Sequence, residues 1–147
     1  MSFFRSMDIS ASALTANRFR MDTIAQNIAN ASTTRTEEGG PYRRRVTVME
    51  ERTAPLPFSS FYNEAVQSYA PGNGVRVSAV YEDPSEFKLD YNPDHPDADA
   101  NGYVHLPNVD TSREMIDMMD ATRSYEANVT VLNAIKAMGQ SALNIGR

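Results

Sequence analysis

The residues with the most obvious chemical potential are Asp97-Ala98-Asp99-Ala100-Asn101-Gly102, which match the first six positions of an EF-hand calcium loop, including the glycine that makes its sharp turn. The match ends at the twelfth position. Asn108 stands there in place of a bidentate Glu, Pro107 sits just before it, and Asn92-Pro93-Asp94-His95-Pro96 cannot form the entering helix. Asp and Asn also bond back to their own backbone in turns, so the segment is expected to be a turn and not a metal site. His95 and His105 lie apart among prolines, with no His-Glu-x-x-His, no phosphate-cradling glycine loop and no Gly-x-Ser-x-Gly in the chain. The acids of the middle region lie in Pro-rich, exposed-looking stretches and not in a pocket suited to glycoside cleavage. With no Cys there is no thiol nucleophile, disulfide or thiolate zinc site. The expectation is a chain that is not an enzyme and holds no metal or cofactor.

The run Arg43-Arg44-Arg45 beside Tyr42 is the one candidate for nucleic acid. Acids at 37, 38, 50 and 51 flank it and would repel phosphate, and a binder normally needs a broader basic face. No nucleic-acid partner is expected. Nor does any window approach the eighteen consecutive apolar residues of a membrane span. The opening Met-Ser-Phe-Phe-Arg-Ser-Met-Asp lacks the apolar run and small-residue site of a cleaved signal peptide.

Periodicity supplies the elements. Apolar residues recur every seven at Met7, Leu14, Met21 and Ile28, with Ser10, Asn17, Ile24 and Ala31 at the intervening offset, a coiled-coil seam with two polar and two small positions. A helix from about residue 3 to 30 would be about 42 Å long. A second helix is predicted after Pro107, where Thr111 and Glu114 have capping-box spacing and Asp110 adds negative charge at the helix start. It carries two seams. One runs through Met115, Met118, Thr122, Tyr125, Val129 and Leu132, and the other through Ala121, Ser124, Asn128, Val131, Ile135, Met138, Ala142 and Ile145. Two seams require two neighbours, so the second is expected to meet another subunit.

Between the helices the alternation of Tyr42 to Val48, Val75 to Tyr81, Phe87 to Tyr91 and Tyr103 to Leu106 predicts short strands, with a turn at Gly72-Asn73-Gly74. Residues 31–40 read as a linker, and 50–70 as a loop or partner-contacting arm. The fold class is α+β: long N- and C-terminal helices paired as a coiled coil, with a small β-rich middle domain. The divisions fall at residues 1–32, the N-terminal core helix; 33–110, the linker and β-rich outer domain; and 111–147, the C-terminal core helix. Over 147 residues only 41% are apolar and the net charge is −5. Residues 53–110 carry nine acids against two basic residues, while 111–147 balance at four of each. The acidity therefore belongs to the middle, and the apolar residues are concentrated in the terminal seams.

Met21-Asp22-Thr23-Ile24-Ala25-Gln26-Asn27-Ile28-Ala29-Asn30-Ala31-Ser32-Thr33, preceded by Ser12-Ala13-Leu14, resembles the N-terminal signature of the bacterial flagellar rod and hook family. The series Tyr91, Pro93, His95-Pro96, Ala98-Asp99, Gly102-Tyr103-Val104 and Pro107-Asn108-Val109-Asp110, followed by Glu114-Met115 and Arg123-x-Tyr125-Glu126-Ala127-Asn128-Val129, narrows the resemblance to a proximal rod subunit of that family. The resemblance implies a structural subunit of the basal body in the periplasm, exported without a cleaved signal peptide by the flagellar type III apparatus. Implied partners are that apparatus, other proximal and distal rod subunits, and the junction of the inner-membrane ring and export gate. Implied assembly residues are Leu14, Met21, Ile24, Asn27, Ile28 and Asn30 on the first helix. On the second they are Met115, Met118, Tyr125, Asn128, Val129, Leu132, Ile135 and Met138. Asn27, Asn30 and Asn128 would fix helix register through hydrogen bonds. A soluble coiled-coil adaptor or another axial rod or hook subunit is the alternative.

Overall fold

A computed structural model describes residues 3–37, 39–52 and 72–145. Most of the arm expected over 50–70, with the Phe58–Tyr69 region, lies outside the described residues. Among them the order is α1 (Phe3–Ala29), β1 (Arg45–Glu51), β2 (Val75–Glu82), β3 (Lys88–Tyr91), β4 (Tyr103–Leu106) and α2 (Thr111–Ile145). The class is α+β, two long helices with a small sheet-containing middle.

The helices pack antiparallel. Asn27 near the end of α1 meets Glu114 at the start of α2, Met21 meets Thr122, and the Phe3 ring lies 2.6 Å from where a Cβ on Gly139 would stand. A side chain at 139 would displace that ring, so the glycine lets the start of α1 approach closely. Beyond Gly139, α2 continues to Ile145 past the described start of α1.

Over Thr111–Asn144 of α2, the residues that are not exposed fall at Glu114, Asp117, Met118, Ala121, Thr122, Tyr125, Asn128, Val129, Leu132, Ile135 and Gly139. This stripe of alternating three- and four-residue steps divides the two expected seams differently from the sequence reading. It takes Met118, Thr122, Tyr125, Val129 and Leu132 from the first and Ala121, Asn128 and Ile135 from the second, leaving Met115, Ser124, Val131, Met138 and Ala142 exposed. The stripe is the first seam widened by one edge of the second, because α1, a single cylinder, can cover only one face.

On its other side α1 carries the antiparallel β1–β2 pair, whose register shifts at Val48/Met49. The Ser12 hydroxyl accepts the Val75 N–H (3.1 Å) and donates to Ile9 O (2.7 Å), tying α1 to the base of β2. Gly74, just before, has φ +96, the left-handed conformation in which a Cβ would meet Ser12. β3 and β4 form a second antiparallel pair, Lys88 to Leu106 through Tyr91 to Tyr103.

The stretch expected to be a linker folds back on itself: Tyr42 N–H donates to Thr33 O and Thr36 N–H to Gly40 O. At the start of α2 the capping role shifts by one residue. Asp110 Oδ1 accepts the Ser112 N–H (3.0 Å), so Asp110 is the N-cap. Glu114 is fully buried, with both its oxygens engaged by Asn27 and Arg44, and takes no part in a capping box.

Candidate functional site

The most heavily bonded part of the molecule is a polar knot where the end of α1, the start of β1 and the start of α2 meet. Asn27, 1% exposed, uses its full hydrogen-bonding capacity. Its Nδ2 donates to Arg45 O (2.8 Å) and to Glu114 Oε2 (2.9 Å). Its Oδ1 accepts from the Tyr42 hydroxyl and from Arg45 N–H, both at 2.9 Å. Toward Arg45 the side-chain amide thus behaves as a strand backbone would, pairing with both the N–H and the C=O of the first residue of β1. The other oxygen of Glu114, Oε1, accepts from Arg44 Nε at 2.6 Å. Arg44 also faces Asp117 at 3.4 Å and Asp83 at 3.7 Å. Asn108 closes the knot, with Oδ1 accepting Arg44 N–H (2.8 Å) and Nδ2 donating to Asp83 O (3.1 Å) and the Ser85 hydroxyl (2.8 Å).

The electrostatics follow from this geometry. Burial alone would lower the affinity of Arg44 for its proton. The hydrogen bond and charge of Glu114, with Asp117 and Asp83, outweigh burial and raise it. Burial raises the Tyr42 phenol, against Arg45 and with Glu114 and Glu82. Asp83 is lowered by hydrogen bonds from the backbone and side chain of Ser85, and further by Arg44. A buried carboxylate with a guanidinium and an amide on its two oxygens is strongly organised, but it offers no open position for a substrate.

The chemistry considered in the sequence is spent on structure. Asp97 Oδ2 accepts the Thr34 hydroxyl (2.8 Å) and Asp99 Oδ2 lies 2.8 Å from His105 Nε2. Gly102 turns at φ +78, donating to Asp99 O. No group of three or more His, Asp or Glu is placed to hold a metal among the described residues. Arg43 stacks 4.3 Å over Phe87, Arg44 enters the knot, and Arg45 lies near Tyr42 and Glu82. Among the described residues no helix is long and apolar enough to cross a membrane.

The residues singled out for assembly fall into three groups. Asn27, Ile24 and Ile135 are buried. Leu14, Met21, Ile28, Asn30, Met118, Tyr125, Asn128, Val129 and Leu132 are half-buried. Met115 and Met138 stand out at 54% and 63% exposure. The three asparagines separate. Asn27 joins three elements, whereas Asn30, just past the end of α1, donates back to Gln26 O, and Asn128 donates to Ser124 O within α2. Tyr42, Arg44, Asn108 and Glu114 were not among the residues singled out. Arg44 keeps the two-residue phase of Tyr42, Val46 and Val48. Glu114 keeps the seven-residue phase of Ala121, Asn128 and Ile135. Opposite charges at two inward phases were the signal available.

A molecule whose polar interior is committed to joining three elements, and whose long second helix leaves many apolar side chains exposed, fits the structural-subunit class. Comparison with known proteins gives the family. Residues 7–35 match the flagella basal body rod protein family and residues 100–145 the C-terminal family of flagellar basal body rod FlgEFG proteins. The chain is 49% identical to flagellar basal-body rod protein FlgC of Bacillus subtilis, covering 100% of both. It is 44% identical to FlgC of Borreliella burgdorferi over 99% of this chain and 98% of that one, and 40% identical to FlgC of Salmonella typhimurium over 100% of both. The chain belongs to the FlgC family of flagellar basal-body rod proteins, whose members are structural and not enzymes.

Proposed function

We propose that this chain is a proximal rod subunit that polymerises through its terminal helices and carries torque across the periplasm. Within the subunit α1 and α2 pair as an antiparallel coiled coil. Between subunits the surface of α2 that α1 leaves uncovered makes the principal contact, with neighbours among the other rod subunits and, at one end, the junction of the inner-membrane ring and export gate. Delivery is by the flagellar type III apparatus. The observation that carries this reading is the number of apolar side chains left exposed around the uncovered surface of α2: Met115, Ile116, Met119, Val131, Met138 and Leu143. Leu143, 79% exposed, lies beyond the reach of α1. Burying one such side chain is worth about 1.5–3 kcal/mol, so a few of them suffice to drive docking.

Met115→Asp/Met138→Asp tests it on positions that do not support the subunit's own packing. Helix content and unfolding midpoint are expected to match the parent, while basal bodies lose the rod and cells stop swimming. Normal swimming with intact rods would overturn the assignment of this surface. Met115→Leu/Met138→Leu, which keeps the surface apolar, is expected to swim.

A further inference from the structure

The seam between α1 and α2 is poor at specifying its own alignment. Met7, Leu14, Met21 and Ile28 repeat at seven residues on one helix, and Met118, Tyr125 and Leu132 on the other. Sliding the helices by one heptad, about 10 Å, sets apolar side chains against apolar side chains again. The positions between them include small or polar residues such as Ser10, Asn17 and Ala121, which resist the new alignment weakly. The charged knot does not repeat. Seven, fourteen and twenty-one residues on from Glu114 stand Ala121, Asn128 and Ile135, none of them acidic.

We propose that the buried Glu114–Arg44 pair, seated on Asn27, selects the register of the helix pair against one-heptad slips. Glu114 is 0% exposed, and its two oxygens are satisfied by Arg44 Nε and Asn27 Nδ2 from different elements. Asn27 is itself fixed to β1 through both backbone groups of Arg45. In one slipped alignment Glu114 moves off the end of α1 and loses both partners. In the other it faces Arg20, one heptad before Asn27, and exchanges two fixed partners for one. Either takes Glu114 from Arg44 and leaves it the longer contact to Asp83. An ion pair of this kind adds little net stability over apolar replacements but discriminates strongly between alignments, because breaking it leaves buried charge uncompensated. The inference rests on the α1–α2 packing described above and not on the assembly reading.

The chain contains no Cys, so register can be read in the full-length protein by introduced pairs and a short bis-maleimide. Met21→Cys/Thr122→Cys reports the native alignment, where the two side chains meet. Met21→Cys/Met115→Cys and Met21→Cys/Val129→Cys report the two slips. In the parent background only the native pair is expected to cross-link. With Arg44→Met/Glu114→Leu, helix content should be retained while a slipped pair rises at least tenfold. Glu114→Gln, which keeps one acceptor oxygen but turns an NH2 donor on the N–H of Arg44 or Asn27, should raise a slipped pair by less than the double substitution does. Exclusive native cross-linking in the Arg44→Met/Glu114→Leu background would overturn the proposal and assign register to Asn108 and its turn. Loss of helix in that background would overturn it as well, since the pair would then be a source of stability and not of alignment.

Discussion

Replacing Asn27 by Ala tests how much the fold depends on a single amide. Two of the four bonds it removes are to the N–H and C=O of Arg45, a pair that no other side chain engages through hydrogen bonds in the knot. A buried polar group left without a partner costs about 1–3 kcal/mol, so the Arg45 backbone alone accounts for about 2–6 kcal/mol. Tyr42 and Glu114 lose one bond each, while water entering the vacated space offsets part of the total. The expected loss is about 3–4 kcal/mol, a large share of the roughly 5–15 kcal/mol that holds a typical domain. In urea, followed by circular dichroism, this lowers the midpoint by roughly 2 M for a slope near 2 kcal/mol/M. Asn30→Ala is the internal control. Its amide bonds only Gln26 O and Thr33 Oγ1 at a half-exposed site, and its loss should cost less than about 1 kcal/mol. Asn27→Asp keeps the acceptor bonds but sets a second carboxylate against Glu114, so it should be at least as damaging as Ala and recover partly as pH falls. If Asn30→Ala cost as much as Asn27→Ala, the distinction drawn between the two amides would be refuted.

Two further outcomes follow from the same geometry. Gly74→Ala, forced to φ +96 and into Ser12, should lose about 2–3 kcal/mol, from about 1–2 for the left-handed backbone and about 1 for the Ser12 to Val75 bond. Gly39→Ala, at φ +85 with nothing nearby, should pay the backbone term alone, so equal urea midpoints would discount the Ser12 contact. Asp83 has a folded-state pKa below its unfolded value, owing to Ser85 and then Arg44. Its contribution is therefore complete above about pH 4 and is lost as pH falls through the unfolded value near 3.9 to the folded one. Asp83→Asn should flatten the acid limb of the stability curve below about pH 4 and leave the neutral region nearly parallel to the parent. An unchanged acid limb would remove Asp83 from the account.

The sequence by itself determined the elements. Seven-residue periodicity placed α1 and α2 to within about a turn, and two-residue alternation located the four strands among the described residues, because both periods are imposed by backbone geometry wherever one face is covered. The motifs carrying the family resemblance, above all the run ending in Asn27-Ile28-Ala29-Asn30, were also legible without a fold. The tertiary structure decided which phase of each element faces inward and what the polar residues on that phase do. Helical spacing made Met115 and Met118 equal candidates for the seam. Only the placement of α1 puts Met118 in the covered stripe and leaves Met115 exposed. Glu114 had the spacing of a cap, and only the convergence of α1, β1 and α2 turns it inward onto Arg44 and Asn27. Spacing along a chain fixes local direction, whereas a buried ion pair between residues seventy apart depends on how separate elements close on one another.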